Sequence, residues 1–138
     1  MVMKTPVAKS SVKTSEASTR KLYLAGPMSG YLHLNREAFE RYANELRAQE
    51  WEVFSPLEHD ISRYGEVWVE ANDGTSEALA QAKIDFGVKI NNLLGVDLNY
   101  ICLHADAIAM MPGWEKSLGA RAEHATAVAL GLKIIYLS

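Results

Sequence analysis

The chain has 138 residues, of which 49% are hydrophobic and 22% charged, as is typical of one globular domain with a single core. Its formal net charge of −3 disfavours a nucleic-acid polymer or a membrane surface as partner, and no apolar run approaches the length of a membrane-spanning helix. The single cysteine, Cys102, excludes an internal disulfide and a cysteine-based metal cluster, and we expect a cytoplasmic protein that uses no metal and no other cofactor.

The chain divides into a tail and one predicted domain. Residues 1–20 are rich in Ser, Thr and Lys and lack the apolar stretch of a secretory signal, so we expect a disordered tail. Residues 21–138 form the domain. Within it, the pattern of residues 57–90 is mixed, with a possible extended piece at 67–70 and helical spacing from Thr75. We expect this segment to be a variable region or a lid.

The first part of the domain predicts a strand–helix–strand unit. Residues 21–25 (KLYLA) are a short apolar run that a Gly-Pro turn ends, which indicates a buried strand. A helix capped by Asn35 follows and extends to about residue 49, because apolar residues recur there at helical spacing. Residues 51–55 (WEVFS) are the second strand. The short connections predict that the two strands run parallel.

The later part of the domain continues this alternation. Asp97 can cap a short helix, residues 106–111 (DAIAMM) are an apolar strand, residues 117–130 are a helix that Gly131 ends, and residues 133–137 (KIIYL) are the last strand. Strands that alternate with helices predict an α/β fold. We expect a three-layer sandwich with a doubly wound, mainly parallel sheet of about five strands, similar to flavodoxin or Rossmann domains.

Three loops are expected at one rim of this sheet. Ligands of such folds bind at the carboxyl ends of the strands. The loops that follow predicted strands there are residues 25–30 (AGPMSG), 55–60 (SPLEHD) and 112–117 (PGWEKS). The sequence therefore predicts a ligand site formed by these loops.

The helix at residues 117–130 carries a carboxylate among Ala, Val and Leu. Ser117 is a good N-cap, and the first helical amides attract an anion. Glu123 lies four residues beyond Gly119, and because helical side chains lean toward the N-terminus, its carboxylate extends over a residue that has no side chain. The spacing leaves two interpretations open. Glu123 attacks a bound sugar carbon beside an open notch, or Gly119 allows close helix–strand packing and Glu123 is solvated.

Other polar residues of these loops and elements are weaker candidates. Gly26 and Gly30 flank a turn in which bare backbone amides approach an anion or a sugar, or which is only a turn. Asp106 begins its strand at the edge opposite the rim, which favours a structural role, and Asp97 is first of all a helix cap. Trp114 lines the mouth of the pocket or lies in an exposed turn. The four histidines show no metal-ligand spacing.

Three stretches of the sequence together carry a family resemblance. They are YLAGPMSG at 23–30, DLNYICLHADAIAMMPGWEKSLGARAEHATAVALG at 97–131, and KIIYL at 133–137. In this order and spacing they resemble the nucleoside 2-deoxyribosyltransferase superfamily, especially its compact phage and bacterial branch. The S-L-G-x-x-x-E step is also similar to that of the 2′-deoxynucleoside 5′-phosphate N-hydrolases. The resemblance covers residues 21–56 and 97–137.

The resemblance implies a fold and a reaction. It implies a doubly wound α/β domain that cleaves the N-glycosidic bond of a nucleoside or nucleoside 5′-monophosphate through a covalent glycosyl-glutamate, which water or a second base resolves. By position, Glu123 matches the nucleophile, Asp97 the aspartate that assists proton transfer, and Tyr23 the strand-one tyrosine that orients the carboxylate. It also implies a homodimer or larger homo-oligomer, with a neighbouring subunit that completes the site.

The resemblance further implies the substrate-binding residues. Ser117 and Gly119 match positions that bind a 5′-phosphate in the hydrolases, which favours a hydrolase. Ser29 stands where the hydrolases have a phosphate-binding arginine, for which Arg121, Lys116 or Arg63 can substitute. Ser117 also stands where the transferases carry an aspartate. The residues predicted to bind substrate are Gly26, Pro27, Met28, Ser29, Gly30, Trp114, Ser117 and Gly119.

Two alternatives from other functional classes stay open at this point. The same pocket can belong to a non-catalytic module that senses or sequesters a nucleotide. It can also belong to an N-glycosidase that acts on another nucleotide, such as a nicotinamide dinucleotide, with the same glutamate.

Overall fold

Four parallel strands form the sheet at the centre of the computed structural model, which describes residues 20–138. They are β1 (Lys21–Ala25), β2 (Glu52–Phe54), β3 (Ala107–Met110) and β4 (Lys133–Tyr136). The order across the sheet is β2–β1–β3–β4, and all three pairings are parallel. The central strands β1 and β3 are buried almost throughout, as continuous apolar runs in a parallel sheet require. The predicted α/β fold with a doubly wound parallel sheet is confirmed.

Helices cover both faces of this sheet. They are α1 (Arg36–Ala48), α2 (Pro56–Tyr64), α3 (Glu66–Glu70), α4 (Ser76–Phe86), α5 (Ile90–Leu103) and α6 (Leu118–Leu130), with 3-10 turns at Leu32–Asn35 and Trp114–Lys116. Alternate residues of β1 point to opposite faces. Leu22 and Leu24 pack in the core with α1 to α4, whereas Tyr23 packs with α5 and α6. No helix within the described residues is long and apolar enough to cross a membrane.

The segment after β2 is helical, so the extended piece predicted at 67–70 is wrong. Ser55 accepts a hydrogen bond from the backbone N–H of Glu58 (3.3 Å), and Pro56 occupies the first helical position of α2. This N-cap serine followed by proline is a helix-start signal that the mixed polarity of the segment obscured. The sheet formed by residues 20–138 therefore has four strands, and α3 occupies the place of the fifth expected strand.

The predicted caps of α1 and α5 are also wrong. Helix α5 begins at Ile90, so that Asp97 lies in its interior and caps nothing. Asn35 precedes α1, but it has a positive φ of 65°, and its side chain donates to the backbone oxygen of Pro27 (3.0 Å) instead of capping the helix. Neither side chain caps its helix: Asn35 contacts the loop after β1, and Asp97 faces the cavity at the sheet rim.

Three other local predictions are confirmed. Ser117 caps α6 by accepting a hydrogen bond from the backbone N–H of Ala120 (3.2 Å), and Gly131 ends the helix with a φ of 71°. Asp106 accepts a hydrogen bond from the backbone N–H of Lys21 (2.9 Å) at the amino ends of the strands. This contact is the structural role expected for that aspartate.

Candidate functional site

A cavity of about 560 Å³ lies at the carboxyl ends of β1, β2 and β3. Residues 26–29 line it from the loop after β1, Pro56 and Asp60 from the segment after β2, and residues 116–120 from the segment after β3. The volume lies within the range of roughly 300–1,000 Å³ that is usual for small-molecule sites. The three loops predicted at one rim therefore meet around one cavity.

Glu123 is the buried acid of this cavity. It projects from α6, its side chain is 6% exposed, and one of its oxygens accepts a hydrogen bond from the hydroxyl of fully buried Tyr23 (2.8 Å). Burial and the charge of Asp97 raise its pKa to about 8, against the opposing effect of the Tyr23 hydrogen bond. The interpretation of Glu123 as a solvated surface charge is wrong.

Gly119 leaves the space above Glu123 open. A Cβ atom built on Gly119 meets no heavy atom within 4 Å outside its own helix, so close helix–strand packing does not require a glycine there. Gly119 lines the cavity together with Glu123. The interpretation of Gly119 as a packing residue is wrong, and the open notch expected beside the carboxylate is present.

Asp97 lies next to Glu123 and Tyr23, on the cavity-facing side of α5. Burial and the charge of Asp60 raise its pKa to about 7, while the hydroxyl of Tyr23 lowers it. The phenol of Tyr23 therefore lies close to both Asp97 and Glu123, and its own pKa is raised well above the usual value, chiefly by burial. The structure brings together the three residues that the resemblance identifies as catalytic.

Asp60 is a third acid in the same cavity, and it was not predicted. It lies on α2 and is 5% exposed. Burial raises its pKa to about 7, and neighbouring Trp68 and Arg63 lower it. No group of three or more His, Cys, Asp or Glu side chains within residues 20–138 is arranged to hold a metal ion.

The predicted binding residues divide into two groups. Those that line the cavity are Gly26, Pro27, Met28, Ser29, Ser117 and Gly119. Gly30 is not among the lining residues, and neither is Trp114, which stacks on His124 with ring centroids 4.3 Å apart. Gly26 has a steric reason to be glycine, because a Cβ there would come within 2.6 Å of the sulfur of Met111. The loop can therefore approach the end of β3 closely only without a side chain.

The wall opposite α6 was missed by sequence reasoning. It consists of α2 to α5 and includes Asp60, Trp68, Leu79, Lys83, Ile90, Leu93 and Leu94. The signal that was available is the N-cap Ser55 followed by Pro56, which starts a helix at the end of β2. Among the three alternatives for a substituting cation, only Lys116 lines the cavity.

Fold and site together define a class of protein: a parallel α/β domain with an acid-lined cavity at the carboxyl ends of its strands, where domains of this fold bind ligands. A family model described as a domain of unknown function, DUF4406, matches residues 20–136, and the chain belongs to this family. No curated protein and no solved structure matches the chain.

The buried acids Asp60 and Glu123 and the partly buried Asp97 predict that stability falls as pH rises. Their pKa values lie near 7 to 8 in the folded protein and near 4 when exposed, so between these limits the folded state binds more protons than the unfolded one. The stabilisation that the protonated acids contribute is fully present below about pH 4 and is lost as the pH rises to about 8. Replacing Asp60 or Asp97 by asparagine should therefore raise the melting temperature at about pH 8 by roughly 2–5 °C and reduce its pH dependence.

Thermal unfolding between about pH 5 and pH 8 measures this effect. Asp85→Asn is the matched control, because Asp85 is exposed on α4 and lies outside the cavity. Its melting temperature should follow that of the unchanged protein at every pH. A lower melting temperature for both cavity variants at the alkaline end would contradict the burial of unpaired acids in this site.

Proposed function

We propose that this protein cleaves the N-glycosidic bond of a (deoxy)nucleoside or nucleoside 5′-monophosphate through a covalent bond between the sugar and Glu123. One observation carries the proposal. Glu123 is a buried glutamate that faces an open cavity, with Tyr23 donating a hydrogen bond to it and Asp97 beside it. A nucleophile, an orienting donor and a second acid are the groups that a retaining glycosidase needs.

Glu123 and Asp97 differ in their protonation states near neutral pH. Two neighbouring buried carboxyl groups do not both ionise readily, so near neutral pH they share one proton. The hydroxyl of Tyr23 donates to Glu123 at 2.8 Å, and a donated hydrogen bond stabilises the ionised form. In the free protein the higher pKa of Glu123, about 8 against about 7 for Asp97, keeps the shared proton on Glu123. Double displacement requires Glu123 as carboxylate and Asp97 as carboxylic acid, so this proton has to move to Asp97 when the substrate binds.

The reaction then proceeds in two balanced steps. An oxygen of Glu123 forms a bond to C1′ while the bond from C1′ to the base nitrogen breaks, and the base leaves with the proton of Asp97. In the second step the Asp97 carboxylate takes a proton from water, whose oxygen attacks C1′ and releases Glu123 as carboxylate. The sugar and the free base are the products, and both acids return to their starting states.

The start of α6 suits the 5′ end of such a substrate. Ser117 and Gly119 line the cavity at the helix N-terminus, where backbone amides and the helix dipole favour an anion. Lys116 lines the cavity beside them, and no carboxylate within the described part of the chain forms a salt bridge with it. These features support a 5′-phosphate at this end. The resemblance to the 5′-phosphate N-hydrolases then implies water, and not a second base, as the acceptor.

A second copy of the chain is part of the proposal. Leu118 lines the cavity at the start of α6 and is 81% exposed, whereas the exposed Val128 and Leu130 lie near the end of the same helix. An exposed apolar side chain at the mouth of a site suits contact with another subunit. We propose a homodimer or larger homo-oligomer in which Leu118 is covered.

The test is a screen of nucleosides, their 5′-monophosphates and a nicotinamide dinucleotide, with chromatographic detection of free base. Each substrate is assayed alone and with an added acceptor base, so that a new nucleoside distinguishes transfer from hydrolysis. Release of base without transfer is the expected result. Thermal stabilisation by a nucleotide without any product would instead identify a binding module, and release of nicotinamide alone would identify a dinucleotide glycosidase.

The open space at Gly119 gives a separate prediction for activity. Gly119→Leu should lower kcat/KM for the substrate found in the screen by roughly tenfold or more, because the new side chain extends into the cavity beside Glu123. Gly95→Leu on α5 is the matched control, since a Cβ there also meets no heavy atom within 4 Å and the residue lies outside this cavity. Equal activity of the two variants would contradict substrate binding above Gly119.

A further inference from the structure

The wall opposite α6 differs chemically from the rest of the cavity. Helices α3, α4 and α5 contribute apolar side chains, among them Trp68, Leu79 and Leu93, and Asp60 and Asp97 are the acids that the described residues place on this wall. A pocket with apolar sides and a few polar groups is typical of sites that hold a heteroaromatic ring. The wall therefore has the character of a base-binding surface.

Asp60 has unused hydrogen-bonding capacity in this wall. Its side chain is 95% buried, and it forms no salt bridge with Arg63 or any other cation of the described chain. The indole N–H of Trp68 lies close enough to lower its pKa, yet that N–H has no hydrogen-bond partner of good geometry. A carboxylate accepts up to about four hydrogen bonds and the indole offers one donor, so Asp60 keeps acceptor capacity for a ligand.

Asp60 lines the cavity from α2, Asp97 from α5 and Glu123 from α6. The charge of Asp97 acts on Glu123, and the charge of Asp60 acts on Asp97. With C1′ at Glu123 and the 5′ end at the start of α6, the proposed substrate pose directs the base past Asp97 toward α2. Arg63 lowers the pKa of Asp60 but forms no salt bridge with it. A buried acid without a salt bridge destabilises the fold, and such groups are found at functional sites more often than elsewhere.

We propose that Asp60 is a specificity-determining residue that accepts a hydrogen bond from an N–H group of the base, while the side chains of α3 to α5 enclose the ring. This inference rests on the proposed function. It predicts that the preferred base carries an N–H donor apart from the glycosidic nitrogen, and that removing this donor or Asp60 has the same effect on binding.

Calorimetric binding of free bases tests this proposal without requiring turnover. The probes are pairs with and without a donor: adenine and purine, cytosine and 2-pyrimidinone, uracil and 3-methyluracil. The unchanged protein should bind the donor-bearing member of its preferred pair about 10- to 100-fold more tightly, and Asp60→Leu should bind both members equally. Asp60→Asn should fall between them, and Asp85→Asn should behave as the unchanged protein.

The outcomes separate this proposal from the proposed function. Equal binding of both members of every pair by the unchanged protein, or no binding of any base, overturns the role of Asp60 even if a variant does not fold. Base release with selectivity unchanged in Asp60→Leu overturns it and leaves the proposed function intact. Donor-selective binding that Asp60→Leu removes, without release of base from any nucleotide, supports the role of Asp60 and overturns the proposed function.

Discussion

Replacing Glu123 by glutamine should lower the rate of base release by about 10⁴-fold or more and leave the fold intact. The amide keeps the size of the side chain but has no carboxylate to attack C1′, and loss of a nucleophile is among the most damaging changes in an enzyme. The fold should survive because glutamine still accepts the hydrogen bond of Tyr23. The rate of base release and the melting temperature are measured on the same preparation.

The matched control is Glu37→Gln, which removes an exposed carboxylate from α1. It should retain the activity of the unchanged protein. If Glu123→Gln cleaves every nucleotide at a rate near that of the unchanged protein, Glu123 is not the nucleophile, whatever its burial.

Replacing Asp97 by asparagine should lower kcat by about 10²- to 10⁴-fold for natural substrates, because the leaving base no longer receives a proton. The loss should be much smaller for a sugar whose leaving group departs as a stable anion, such as a nitrophenolate, when formation of the glycosyl-enzyme limits the rate. This contrast distinguishes an acid catalyst from a residue that only holds Glu123 in place. The rate of formation of the glycosyl-enzyme is measured for both substrates in a single turnover.

A similar loss for both leaving groups would contradict proton donation by Asp97. Asp60→Asn is the comparison variant, because Asp60 lies in the same cavity and has a pKa raised in the same way. Asp60→Asn should lower the rate for the natural substrate because that substrate carries a base. It should not lower the rate for the nitrophenyl substrate, which has no base, and the acidity of the leaving group should not matter.

The sheet and its rim could be predicted from the sequence because they depend on local signals. Continuous apolar runs ended by Gly or Pro identify β1 and β3, and Ser117 and Gly131 mark both ends of α6. Parallel strands then bring their carboxyl ends together whatever the details of the connections. The position of Glu123 at the rim follows from these elements.

The opposite wall could not be predicted in the same way. Its residues come from α2 to α5, whose polar and apolar positions mix because one side faces the cavity and another faces solvent. The sequence pattern predicts a helix that begins after Asp97, with Asp97 as its cap. Only the packing of α5 shows that Asp97 lies in the helix interior. No local sequence signal indicates that Asp60 is buried. Its burial depends on α3, where the sequence pattern suggests an extended piece instead of a helix.

The covalent intermediate provides the most direct test of the central claim, that Glu123 forms a bond to the sugar. Fluorine at C2′ of a substrate analogue slows both steps, because it destabilises the positive charge that develops at C1′, and a good leaving group restores the rate of the first step, so that the intermediate accumulates. Intact-protein mass spectrometry after incubation should show a mass gain equal to the fluorinated glycosyl residue, which is the sugar less water, and peptide mapping should locate it on Glu123. Base release from the analogue in several turnovers with no mass gain, or a sugar attached to another residue, would contradict the claim.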